Sequence, residues 1–186
     1  MEYSVGQLRS MAYAVRKGKT VKCLEYLGEG WFSEAYLIKD GSGRVLKVAG
    51  PASWAGYQSA RGHRRGCSAG YESRHDPYWH YAKFAMEHYE KSTLLPKIYA
   101  AEQLSRGLSW YVMERLTSFG VKQAALLDEV QYALLRPEYA VAPKEHAEVI
   151  TLLVALQEEL DCKWDTHSGN WASRPNGELV LTDPWS

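Results

Sequence analysis

No stretch of this sequence offers the roughly 20 successive apolar residues that a helix needs to cross a bilayer. Its opening, MEYSVGQLRSMAYAVRKGKT, lacks the uninterrupted apolar segment of a secretion signal. Cysteine is scarce, and Cys23, Cys67 and Cys162 are an odd, scattered set without the paired spacing of a disulfide framework, which suits a reducing compartment. Neither sign of charge is in excess: 22 Lys and Arg meet 22 Asp and Glu, so no global field recruits nucleic acid or an acidic surface. Phenylalanine numbers only three, yet 7 Trp and 13 Tyr raise the aromatics to 12%, and a hydrophobic share of 46% excludes a disordered chain. The expectation is a cytoplasmic protein with no membrane partner and no nucleic-acid role. At 186 residues it is one compact domain, or one domain made of two small lobes.

Residues 2 to 17 read as an amphipathic helix with Leu8, Met11 and Val15 on one face, expected to lie against the first sheet. The KGKT that follows has the tail of a phosphate-binding loop, but position 13 is Tyr where that loop requires Gly. VKCLEYLGEG, SEAYLIKD and GRVLKVAG are three short β-rich runs separated by Gly-containing turns, which predicts an antiparallel meander. From about residue 50 to 76 the composition turns to Gly, Ser, Ala, Arg and His, an insertion too long for an ordinary connection. Asp76 and Pro77 then open a helix running to about Tyr89. LLPKIYAAEQLSRGLSWYVMERL supplies two more strands, broken at Ser105 to Ser109, and a helical segment is expected around 122 to 135. Val149, Leu152, Leu153, Leu156 and Leu160 mark the clearest helix, beginning near Pro143. GELVLTD reads as a strand ending at Asp183, with Asn176 and Gly177 as its hairpin turn.

The chemistry concentrates near the end of the sequence. KWDTHSGNWASRPNGELVLTDPWS places Asp165, Asn170 and Asp183 in the order and spacing of a phosphoryl-transfer site. One carboxylate can receive a hydroxyl proton, while an amide and a second carboxylate beyond a short hairpin can share a magnesium ion. Upstream, LGEGWFSEAY puts Gly28 and Gly30 in a strand, turn, strand setting, where backbone amides can approach phosphates. Lys47 in RVLKV shares a strand face with Val45, and WYVMERL is an apolar strand that ends at Glu114.

LGEGWFSEAY, VLKV, YVME, DTHSGN and TDPW together resemble the eukaryotic-like protein kinase family, and most closely its branch of early serine/threonine kinases from short-tailed T-odd bacteriophages. The resemblance covers residues 22 to 49 and 94 to 186. It implies an α+β, two-lobed fold: residues 1–114 would form an antiparallel β-sheet N-lobe, and residues 115–186 a reduced, mostly helical C-lobe. It also implies ATP and Mg²⁺ as cofactors. Gly28, Gly30 and Ser33, at the third glycine position, would cover the nucleotide, and Lys47 would hold its α and β phosphates. Met113 would line the adenine site, and the backbone of Glu114 and Leu116 would bond the base. Asp165 would be the catalytic base, His167 a contact to the γ phosphate, and Asn170 and Asp183 the metal ligands.

The implied activity is transfer to Ser or Thr of host bacterial proteins, and to the kinase itself. The sequence departs from the family where the partner of the strand lysine is expected, placing Lys83 there with Glu87 one turn later. The activation segment and the large helical lobe that normally follow Asp183 are also missing from it. Those departures keep open a kinase-like protein that binds and inhibits a host protein without chemistry. His167 keeps open a small-molecule kinase. In the insertion, His63, Cys67, His75 and His80 match no zinc spacing, and Arg61, Arg64, Arg65 and Arg74 read as a solvated basic loop. The target and the oligomeric state are not legible.

Overall fold

The computed structural model describes residues 3–29, 33–49, 77–105, 108–118, 120, 124–125, 127–128, 144–160 and 168–182. The chain divides into two units, Met1–Met86 with Lys97–Arg115, and Glu87–Pro96 with Leu116–Ser186. The described residues are mixed α and β, with three α-helices and antiparallel sheets. None of these helices is long and apolar enough to cross a membrane.

The first unit begins with helix α1, Val5–Arg16. Ser4 caps it reciprocally with Gln7: each side chain bonds the other's backbone amide. At the far end Gly18 takes φ +67°, while Gly18 N–H donates to Val15 and Lys19 N–H to Ala14. These two bonds satisfy carbonyls that the last turn leaves open. The glycine of KGKT is thus a helix stop. Leu8, Met11, Ala12 and Val15 form the buried stripe, as their spacing predicts.

That stripe packs on a five-stranded antiparallel sheet of order β1-β2-β3-β5-β4. The strands are β1 (Leu24–Glu29), β2 (Ser33–Ile38), β3 (Arg44–Ala49), β4 (Ile98–Ser105) and β5 (Leu108–Glu114). Leu46 and Val48 of β3 and Trp110 and Val112 of β5 meet α1 in one cluster with Leu24 and Ile38. β5 returns beside β3, so the central strand is covered by neighbours on both edges. On β1, Tyr26 pairs with Tyr36 and Gly28 with Ala35, which leaves Leu27 as one extra residue, a β-bulge. Helix α2, Pro77–His88, follows β3 in the sequence and buries Tyr81, Ala82, Phe84 and Ala85.

In the second unit, helix α3 (Lys144–Leu160) buries Val149, Leu152, Leu153 and Leu156 and exposes Val154. A short hairpin, β6 (Trp171–Ser173) and β7 (Leu179–Leu181), follows a 3-10 turn at Ser168–Asn170. Its loop differs from the expected Asn-Gly turn. Arg174 N–H donates to Glu178 O at 2.9 Å and Gly177 N–H to Arg174 O at 2.9 Å, closing a three-residue loop, Pro175 to Gly177. Proline's fixed φ suits an early turn position, and the left-handed requirement then falls on Gly177 at φ +87°. Strand β7 also ends two residues before Asp183. The insertion at 50–76 lies outside the described residues, as does most of the helical segment expected at 122–135; the residues described there, Ala124, Ala125, Leu127 and Asp128, are helical.

Candidate functional site

The strand register decides which side chains of the first unit share a face. Lys47 lies opposite Ala35 on β2 and Tyr111 on β5, Val45 lies opposite Met113, and Ser33 opposite Ala49. Because side chains alternate along a strand, Ala35, Val45, Lys47, Tyr111 and Met113 occupy the face turned away from α1. The Lys47 ammonium sits 5.6 Å from the centre of the Tyr111 ring. Cation–π attraction holds it beside an otherwise apolar surface, since Val45 and Met113 are both buried. The shared face of Val45 and Lys47 is as their spacing predicts. Gly28 is the cross-strand partner of Ala35, next to the Leu27 bulge. Ser33 is buried at the start of β2. Gly30, which follows β1 in the sequence, lies outside the described residues.

Glu114 closes the end of β5. Its N–H donates to Lys97 O at 3.0 Å, and its Oε1 accepts from Lys97 N–H at 2.8 Å, so backbone and side chain bracket one residue. With that amide engaged, a backbone contact from Glu114 to a base would run through the carbonyl. A sequence reading has no means of foreseeing this bracket, because Lys97 is distant in the chain.

Leu116 and Asn170 belong to the second unit. Asn170 ends the 3-10 turn and is 6% exposed. Its carbonyl accepts Thr182 N–H at 2.7 Å and Thr182 Oγ1–H at 2.9 Å. One residue further into the hairpin, Trp171 pairs with Leu181. The end of DTHSGN and the start of TDPW therefore face each other at the open end of one ladder. Asp165, His167 and Asp183 lie outside the described residues.

Both edges of the hairpin are tied down. Thr117 and Ser173 exchange backbone hydrogen bonds of 2.9 and 2.8 Å, and Leu181 N–H donates to Leu94 O at 2.8 Å. Arg174 adds Nη1 and Nη2 bonds to the carbonyls of Thr93 and Leu95, and an ion pair with Glu178 at 3.1 Å. None of these anchors stood out in the sequence. The one available signal was the i, i+4 spacing of Arg174 and Glu178.

Of the residues near the position of the missing lysine partner, Lys83 is exposed, and Glu87 groups with His88 and Glu159 in the second unit. Their ligand atoms lie within 4.8 Å of one another, the one such His and carboxylate trio among the described residues. Both glutamates are exposed, and His88 Nε2 is 3.5 Å from Glu159 Oε2. The contact between the His88 imidazole and the Glu159 carboxylate accounts for the approach.

Compared with models of known protein families the chain matches none, and no curated protein sequence matches it.

Proposed function

We propose that this protein is an ATP-dependent serine/threonine protein kinase of the phage type, with a two-lobed kinase fold in which residues 115–186 belong to the C-lobe. The observation that carries the reading is the face shared by Ala35, Val45, Lys47 and Met113. It sets a single ammonium at the edge of a buried apolar surface, beside a glycine-bearing hairpin. An adenine ring suits the apolar part, and phosphates suit Lys47 and the backbone amides near Gly28 and Gly30. Glu114 and Leu116 would bond the base through their backbone, and Ser33 would close the base of the hairpin.

Asn170 and Asp183 present an amide oxygen and a carboxylate, hard donors of the kind that Mg²⁺ takes with water and phosphate oxygens completing its octahedron. When bound, the ion neutralises charge that develops on the phosphoryl oxygens. Asp165 would orient the Ser or Thr hydroxyl and accept its proton as the oxygen attacks the γ phosphorus. The bond between the β–γ bridging oxygen and that phosphorus breaks, and ADP leaves. Lys47 would steady the α and β phosphates, and His167 would face the γ phosphate. Host bacterial proteins, and the chain itself, are the proposed acceptors.

The test is incubation with γ-labelled ATP and Mg²⁺, alone and with bacterial lysate, comparing wild type with Asp165→Ala. The expected result is protein labelling by wild type alone. Equal labelling by both sinks the reading. The grouping of Glu87 with His88 and Glu159 favours a second reading, a kinase-like inhibitor of a host protein that performs no chemistry. Mg·ATP would then give no thermal stabilisation, and labelling would be absent from wild type too. ADP release with small acceptors and not with proteins would mark a small-molecule kinase instead.

A further inference from the structure

We infer that Thr182 is a positioning residue for the metal centre, acting through Asn170; this rests on the kinase reading above. The two bonds from Thr182, 2.7 Å from its amide and 2.9 Å from its hydroxyl, fill both lone pairs of the Asn170 carbonyl. A carbonyl held by two donors on one residue cannot swing, and it fixes the plane of the peptide between Asn170 and Trp171. Trp171 is itself held, buried at 3% exposure and paired with Leu181. The 3-10 turn at Ser168–Asn170 therefore ends on a backbone clamped from two sides, with the Asn170 side chain buried.

Mg²⁺ demands near-ideal octahedral geometry at about 2.0–2.1 Å, so a ligand that pivots loses affinity steeply. Partners that orient a ligand typically change metal affinity by roughly 10–100-fold when removed. Backbone pairing alone would supply only the amide bond. The hydroxyl is the part of the clamp that depends on the identity of residue 182, and Val is nearly the same shape without it.

The experiment compares wild type, Thr182→Val and Thr182→Ser. It reads the Mg²⁺ concentration that half-saturates the rise in melting temperature produced by a non-hydrolysable ATP analogue, and separately kcat at saturating Mg²⁺. Thr182→Val is expected to raise the Mg²⁺ midpoint about tenfold while keeping most of kcat. Thr182→Ser, which retains the hydroxyl and loses only the methyl group, is expected to stay within about twofold of wild type. A wild-type midpoint in Thr182→Val overturns the role of Thr182 and leaves the kinase reading standing. Equal impairment of Ser and Val overturns it as well, because the methyl group rather than the hydroxyl would then matter. If wild type shows no Mg²⁺-dependent stabilisation by nucleotide, the kinase reading fails and this inference with it.

Discussion

Arg174 donates through Nη2 to the carbonyl of Leu95 at 2.8 Å, joining the β6–β7 hairpin to a segment 79 residues away in sequence. The same guanidinium reaches Thr93 O and Glu178, and its side chain is only 11% exposed. Removing it leaves two carbonyls without their charged donor. Arg174→Ala is therefore expected to destabilise the protein by about 2–4 kcal/mol. Arg174→Lys should recover less than half, since a point charge cannot reproduce the planar fork. Chemical denaturation of the two variants measures both, and a loss under about 0.5 kcal/mol in Arg174→Ala would mean that the hairpin does not depend on this anchor.

Gly177 occupies φ +87°, and beyond its own chain neighbours no heavy atom lies within 4 Å of where a Cβ would stand. Any penalty for a side chain there is backbone strain alone. Gly177→Ala should cost about 1 kcal/mol, and Gly177→Asn less, because Asn tolerates the left-handed region. Equal melting temperatures for wild type and the Ala variant would contradict the assigned loop.

Asp40 sits in the turn between β2 and β3, where hydrogen bonding by Ser42, through side chain and backbone, holds its carboxyl below the usual carboxylate range; Ser42 N–H lies 2.9 Å from Oδ1. A depressed folded pKa contributes stability that is present above the unfolded value and is lost as pH falls through the folded one. Ser42→Ala removes the larger cause and should move the Asp40 titration upward, shrinking its share of acid sensitivity. Carboxyl-carbon NMR across pH 2 to 6 reads the midpoint directly, and an unmoved midpoint would assign the shift to another cause.

Lys47 is the charge on which the proposed nucleotide site turns. Lys47→Met keeps the length of the stem beside Tyr111 and removes the ammonium. At 100 times the wild-type Kd, Mg·ATP should stabilise wild type by about 2.7 kcal/mol and Lys47→Met by much less. Equal stabilisation of the two would place the nucleotide elsewhere.

Much of the fold was legible where the physics is local. The stripe of Leu8, Met11 and Val15, the stripe of Val149, Leu152, Leu153 and Leu156, and the shared face of Val45 and Lys47 all follow from counting along one element. The position of β5 beside β3 does not, because strand order depends on contacts far apart in sequence. Asn176 and Gly177 suggested a two-residue turn, and Pro175 just before them lengthens the loop to three residues. At the candidate site, alternation was enough to pair Val45 with Lys47. The clamp of Thr182 on Asn170, the Glu114 bracket on Lys97 and the Arg174 anchor are each made by residues whose types are common on any surface. Only the fold gives those residues their partners.

The extra residue at Leu27 sets how β1 can tolerate change in length. Tyr26 and Gly28 already pair with the adjacent residues Tyr36 and Ala35. Deleting Leu27 would restore an unbroken ladder and leave the faces of β1 and β2 in place, whereas losing one residue within β2 or β3 would turn the remainder of that strand over. The glycine hairpin thus has a position where single-residue length variation is absorbed, and the strand bearing Lys47 has none.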